Sequence, residues 1–170
     1  MIMDLRIGNG LDVHPFADDP ARPLVLAGVE VADGPGLAGH SDADVAAHAV
    51  ADALLGALAL GDLGSWFGVD RPETAGADSL TLLATVVAGV HAHGWRVGNV
   101  DVTVVAQRPR LASFRDAMRA GLAGTLHLDI DAVSVKFTTT DRLGALGRAE
   151  GIAAWATAVV VRENGIDGHH

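Results

Sequence analysis

The chain has 170 residues, 49% of them hydrophobic and 19% charged, a balance that fits one globular domain with a substantial core and excludes a disordered chain. It has no cysteine, which removes disulfides and thiolate metal sites, so any zinc must be held by histidine and carboxylate. A formal net charge of −9 leaves no basic stripe for nucleic acid, and an anionic ligand would need bound cations to supply positive charge.

No apolar run approaches the ~20 residues of a membrane span. Met1 to Arg6 lacks an apolar signal core. A soluble, cytoplasmic protein with no membrane or nucleic-acid partner is therefore expected, with residues 1–162 as one domain and 163–170 as a polar tail ending in His169 and His170. In chain order, Leu5 to Val13 alternates as a strand, and Gly8 and Gly10 allow another backbone to come close. The strand ends in Asp12-Val13-His14-Pro15. Two ligand-type side chains two residues apart on a strand share a face and can reach one ion, although such a pair is common and gains meaning only with a third ligand.

Pro23 to Val31 predicts a second strand, broken by Asp33-Gly34-Pro35-Gly36. Leu37 to Ser41 then approaches a helix N-terminus. Free backbone N–H groups there would suit an anion met by His40 and Ser41; the competing reading is a plain cap by Ser41. Ser41 followed by Asp44 reads as a capping box, which starts the helix near Asp42. On that helix Asp44, His48 and Asp52 form a polar stripe beside an apolar face of Val45, Ala49, Leu55 and Leu58. A carboxylate one turn from His48 would accept from one ring nitrogen while the other faces a metal. The same arrangement also suits a purely structural histidine.

Gly61-Asp62-Leu63-Gly64 reads as a turn, in which Asp62 caps a helix or holds ligand hydroxyls, and Trp66 to Pro72 as a loop. Ser79 to His93 predicts an amphipathic helix with His91 and His93 near its exposed end. Asn99 to Ala106 is a strand stopped by Gln107-Arg108-Pro109-Arg110. A third helix covers Leu111 to Leu126. Ala132 to Phe137 is a further strand running into Thr138-Thr139-Thr140-Asp141, whose hydroxyls and acid suit phosphate plus a hard cation, or simply strand propensity. Ile152 to Val161 is the last strand, apolar on both faces. Strands interleaved with three helices predict an α/β (α+β) fold, a single mixed sheet covered by helices on one face. The open face calls for self-association.

The segments GNGLDVHPF, GHSDADVAAHAVADALLGALALGDLG, GADS, GNVDVTVVAQRP and TTTDRLGALGRAEGIA, in this order from about Arg6 to Val161, closely resemble the 2-C-methyl-D-erythritol 2,4-cyclodiphosphate synthase family. The resemblance implies Zn²⁺ on Asp12, His14 and His48, and His40 and Ser41 in a loop that closes on substrate. Asp62 and Gly64 would hold the methylerythritol hydroxyls, with Phe67 and Asp70 also on the substrate side. Ala106 to Leu111, including Pro109, Arg110 and Leu111, would form a cytosine pocket. Thr138, Thr139, Thr140 and Asp141 would bind the diphosphate, with Mg²⁺ or Mn²⁺ at Asp141. Ala145 and Arg148 would lie toward a trimer axis around which the sheets pack.

The implied activity is conversion of 4-diphosphocytidyl-2-C-methyl-D-erythritol 2-phosphate to the 2,4-cyclodiphosphate with release of CMP. The attack of the 2-phosphate on the β-phosphorus is metal-assisted, and His40 and Thr139 steady the transition state. A homotrimer with active sites shared between neighbouring chains is implied as well. This chain departs from the family's usual residues at Asp141, commonly Glu, at Arg110, commonly Lys, and at Ala145, commonly Phe. Two alternatives stand beside this reading: a zinc-dependent phosphoesterase that hands the substrate to water, and a non-catalytic trimer binding an isoprenoid diphosphate through Arg148 and Glu150.

Overall fold

A computed structural model describes residues 4–32, 34–39, 41–68 and 78–162. At its centre lies a four-stranded mixed sheet in the order β1 (Leu5–Pro15), β6 (Gly151–Arg162), β4 (Trp95–Val105), β5 (Val133–Thr138). β6 is antiparallel to both neighbours, and β4 and β5 are parallel. The C-terminal ends of β1, β4 and β5 therefore gather at one end of the sheet, where β6 begins. Three helices cover one face, α1 (Val45–Ala57), α3 (Ser79–Ala92) and α4 (Arg115–Leu126). Two short helices, α2 (Leu63–Phe67) and α5 (Gly144–Gly147), complete the described helical structure together with two 3₁₀ turns.

The seat of α1 on the sheet follows from small residues on both sides. A side chain at Gly8 would collide with the backbone of Ala53 and Ala57, and one at Gly10 with Ala49 and Ala53. The helix backbone thus lies directly on β1, as the two strand glycines predict. Beneath it β6 offers Ala154, Ala156 and Ala158, all fully buried. Close helix–sheet contact fixes which α1 side chains reach the strand's end.

Several sequence expectations need correction. Pro23 to Val31 is not one strand but a hairpin of β2 (Val25–Leu26) and β3 (Val29–Glu30). It turns at Ala27 and Gly28, both with positive φ, and the Asp44 carboxylate holds both turn N–H groups at 2.8 and 2.7 Å. The helix does not start near Asp42: Ala43 sits at φ 57°, and Asp44 is the N-cap, accepting from Ala46 and Ala47 N–H at 3.0 Å each. An anion therefore does not find a free α1 N-terminus, because Asp44 already fills it. Trp66 and Phe67 are helical, since Asp62 and Ser65 form a capping box for α2. β4 begins at Trp95 rather than Asn99, with a register shift between Val97 and Asn99. Helix α4 is preceded by a 3₁₀ turn over Ala112–Phe114.

On the sheet's other face Ile7, Leu11, Val13 and Trp155 stand out, with Ile7 64% and Trp155 52% exposed. The inner-facing Ile152, Ala154, Ala156, Ala158 and Val160 are buried, so β6 is apolar on both sides as expected. Among the described residues no helix is long and apolar enough to cross a membrane.

Candidate active site

Period-two geometry puts Asp12 and His14 on the helix-facing side of β1, beyond the two glycines, and the close seat of α1 brings His48 to them. The three side chains offer ligand atoms that all lie within 4.8 Å of one another. His48 Nδ1 is 3.0 Å and His14 Nε2 3.2 Å from the same Asp12 oxygen, Oδ2. The ring of His14 packs against Gly39, where a Cβ would approach His14 Cε1 to 3.1 Å. His14 Nδ1 donates to the Ala38 carbonyl at 2.5 Å. Because a carbonyl only accepts, Nδ1 carries the proton and Nε2 is the nitrogen turned to the cluster. The far side of His48 is held by Ser79, whose Oγ is 2.9 Å from Nε2; Ser41 Oγ lies at 3.4 Å. The expected carboxylate one turn away on α1 is not the partner. Asp44 is committed to four backbone N–H groups and Asp52 to the N–H of Leu63 at 2.8 Å.

Burial alone would raise the Asp12 carboxyl, but hydrogen bonds to His14 and His48 outweigh it and hold the group far below the usual carboxylate range. The same bond to Asp12 raises His14, against the opposing pull of burial. In the metal-free protein this attraction is fully present above the ordinary Asp value of 3.8 and below the ordinary His value of 6.5. It is lost as pH falls through the depressed Asp12 and as pH rises through the raised His14. Burial likewise raises Asp52, with the Leu63 N–H pulling the other way and Asp62 and Asp12 adding to the rise.

One oxygen and two imidazole nitrogens, each ring oriented by a bond on its far side, suit Zn²⁺ with three protein ligands and an open position. A smaller, harder cation would want more oxygen.

At the same end of the sheet a concavity of about 410 Å³ is lined by Ala106, Gln107, Pro109, Arg110, Leu111, Ala112, Phe137, Thr138 and Thr139. It forms where β4 and β5 end together, tied by Ala106 N–H to the Thr138 carbonyl at 3.0 Å. Asp141 and Arg142 both have positive φ, and Thr139 Oγ1 donates to Asp141 Oδ1 at 3.3 Å. Thr140 gives its proton to the Leu143 carbonyl at 2.7 Å, so toward a ligand it can only accept. Gln107, expected only as part of the loop that ends the strand, accepts from Arg142 N–H at 3.1 Å and braces this loop. Among the described residues Asp141 belongs to no group of three such ligands, and the Asp12 centre is the one such cluster.

Asp62 caps α2, accepting from Ser65 N–H at 2.7 Å, and Gly64 lies in that helix's first turn. Phe67 packs on the core. Ser41 is brought beside His48, its carbonyl accepting from Arg22. Ala145 and Arg148 lie in and next to α5, with Arg148 Nε 2.6 Å from Glu150 Oε1 on the surface. His40 and Asp70 fall outside the described residues. Ser79 and Asp42, which the structure adds around the metal ligands, were readable in sequence only as polar residues near helix starts.

Register places the metal cluster and this cavity at one level. Asp12 pairs with Ala154, Ala154 with Val104, and Val104 with Phe137, one residue before Thr138. The metal cluster sits on edge strand β1 and the cavity on edge strand β5, three strand spacings or roughly 14 Å apart.

A model of the YgbB family matches residues 5–161. The 2-C-methyl-D-erythritol 2,4-cyclodiphosphate synthase of Thermosynechococcus vestitus is 54% identical over 159 residues, covering 94% of this chain and 98% of its own. The solved structure of the bifunctional IspDF from Campylobacter jejuni matches with a TM-score of 0.90 at 40% identity, over 95% of this chain and 43% of that one. An IspF from Plasmodium falciparum in complex with CDP matches at 0.82 and 29% identity, over 96% of this chain and all of that one (100%). Nearly the whole chain, metal cluster and strand-end cavity included, is spanned by these matches, and it belongs to the YgbB family, among the 2-C-methyl-D-erythritol 2,4-cyclodiphosphate synthases.

Proposed function

We propose that this chain converts 4-diphosphocytidyl-2-C-methyl-D-erythritol 2-phosphate to 2-C-methyl-D-erythritol 2,4-cyclodiphosphate and CMP, with Zn²⁺ on Asp12, His14 and His48. The observation that carries the reading is the three-ligand cluster level with a nucleotide-sized cavity at one end of the sheet. The substrate brings its own nucleophile. A phosphate monoester has a second pKa of about 6 and is largely dianionic at neutral pH, so no strong protein base is required. When bound, Zn²⁺ and a Mg²⁺ or Mn²⁺ at Asp141 supply the positive charge that offsets repulsion between the 2-phosphate and the diphosphate it attacks.

The protein's own groups then position. The backbone of Ala106 to Leu111, with Pro109 and Arg110, holds the cytosine. Asp62 and Gly64, followed by Phe67 and Asp70, hold the methylerythritol. Thr138, Thr139 and, through its cation, Asp141 hold the diphosphate, Thr140 bracing their turn by its bond to the Leu143 carbonyl, and Thr139 with His40 and Ser41 fixes the phosphoryl oxygens as charge shifts onto CMP. Asp141 suits Mg²⁺, which takes one or two carboxylates and fills its shell with phosphate oxygens and water.

The metal cluster and the cavity occupy opposite edges of one sheet, and such a separation is readily closed by a neighbouring chain. A heterologous contact of one chain's β5 edge with the next chain's β1 edge closes into a ring and buries the exposed Ile7, Leu11, Val13 and Trp155 face. This supports a homotrimer with shared sites, Ala145 and Arg148 facing its axis, and residues 1–162 as the repeating domain.

Phosphorus NMR of the candidate substrate with protein, Zn²⁺ and Mg²⁺ should show the 2-phosphate and both diphosphate resonances replaced by those of a cyclic diphosphate and CMP. CMP accompanied by linear phosphate products would identify a phosphoesterase instead. Unchanged substrate would leave a binding protein.

A further inference from the structure

We propose that Ser79 and Asp42 are positioning residues that fix which nitrogen of His48 takes the metal, so that zinc affinity depends on a buried hydroxyl and a carboxylate outside the ligand set. The inference rests on the metal-centre reading above and extends it from the ligands to what holds them. Ser79, the first residue of α3, is 1% exposed, and its Oγ lies 2.9 Å from His48 Nε2. The same hydroxyl donates to Asp42 Oδ1. Asp42 Oδ2 accepts the Ser79 backbone N–H at 3.1 Å, and Oδ1 also accepts the Asp44 N–H at 3.2 Å.

Donor and acceptor counting then leaves one arrangement. A carboxylate surrounded by three donors accepts from all of them, so the single proton of Ser79 goes to Asp42. Toward His48 the hydroxyl has only lone pairs. Nε2 therefore carries a proton and donates, and Nδ1, 3.0 Å from Asp12 Oδ2, is the nitrogen that takes the metal. His14 is set by a different device, the Ala38 carbonyl. A carbonyl orients a ring through the chain's own path, whereas the Ser79 hydroxyl links His48 on α1 to the start of α3.

Asp42→Asn is the sharp variant, because an amide must place its NH₂ against a donor in either orientation. At Oδ2 it opposes the Ser79 N–H. At Oδ1 it donates to the hydroxyl, which must then turn its proton toward His48 and favour the wrong ring nitrogen. Ser79→Ala removes the acceptor outright, and Ser79→Thr keeps it. Zn²⁺ affinity, measured on the full chain by competition with a chromophoric chelator, is expected to fall about 10- to 100-fold in Ser79→Ala and in Asp42→Asn. The double variant should be no weaker than the poorer single one, since both act through one hydroxyl. Ser79→Thr should recover most of the affinity.

Cadmium-loaded wild-type protein gives a readout independent of any variant's folding: metal–nitrogen scalar coupling is expected at His48 Nδ1 with Nε2 protonated. Coupling at Nε2 would overturn the proposal. So would wild-type zinc affinity in folded Ser79→Ala when His48→Ala in the same assay has lost its zinc. Zinc retained at full affinity in His48→Ala would instead overturn the metal centre itself.

Discussion

Replacing His48 by Ala is expected to cost zinc and turnover together. Asp12 and His14 would remain, and two ligands two residues apart on one strand leave half of a tetrahedral shell to water. Outer-shell partners of metal ligands are worth about 10- to 100-fold, so loss of a ligand itself should exceed about 100-fold in affinity and activity. The fold should survive, because the imidazole lies at the end of β1 and its removal opens no core cavity. Metal content by elemental analysis, turnover by product formation and a thermal melt of the same sample check the three parts. A stoichiometric zinc or undiminished turnover in the folded variant would contradict the assignment.

The largest effect on stability is expected at Asp44, which touches no ligand. Its carboxylate is fully buried and accepts four backbone N–H groups, two from the first turn of α1 and two from the Ala27–Gly28 turn. Asp44→Ala removes a helix cap, worth about 1 kcal/mol. It also orphans the N–H of the buried Ala27, costing about 1 to 3 kcal/mol, whereas Gly28 is exposed and its N–H can turn to water. A loss on the order of 2 to 4 kcal/mol follows, a large share of the stability of many domains. Asp44→Asn should recover most of it, since Oδ1 accepts three of the four N–H groups and the amide can place its NH₂ at Oδ2, against the Gly28 N–H alone. Urea unfolding of metal-free protein measures both. A midpoint within error of wild type for Asp44→Ala would show that water replaces these bonds at no cost.

Asp44 also shows where sequence reading stops. A stripe of Asp44, His48 and Asp52 is a correct statement about helix periodicity, yet each side chain leaves that stripe for a different partner. Asp44 reaches back to a hairpin 16 residues earlier, Asp52 forward to Leu63, and only His48 turns to the ligands. The hairpin was hidden because Ala27 adopts positive φ, which alanine rarely does without tertiary support; Asp44 provides that support. The short helix α2 was hidden behind glycines at 61 and 64, although its Asp62-to-Ser65 capping pair is written in the sequence.

What was legible has equally physical reasons. Alternation along β1 placed Asp12 and His14 on one face, and Gly8 with Gly10 announced the close backbone that proved to be α1. The doubly apolar β6 announced an open sheet face with Trp155 on it. Ser79 and Asp42 were not legible, because their value lies in meeting one ring nitrogen from two separate segments.

The claim that joins these observations is that a working site takes its metal half from one chain and its nucleotide half from the next. His48→Ala spoils the first half and Asp141→Ala the second, and each variant assembled by itself should be nearly inactive. In trimers reassembled from equal amounts of both, about one interface in four pairs an intact metal half with an intact nucleotide half. Subunit exchange followed by an activity assay, with mixed trimers verified by native mass spectrometry, should therefore recover about a quarter of wild-type turnover. Verified mixed trimers with no turnover above that of the parent variants would contradict a site shared between chains.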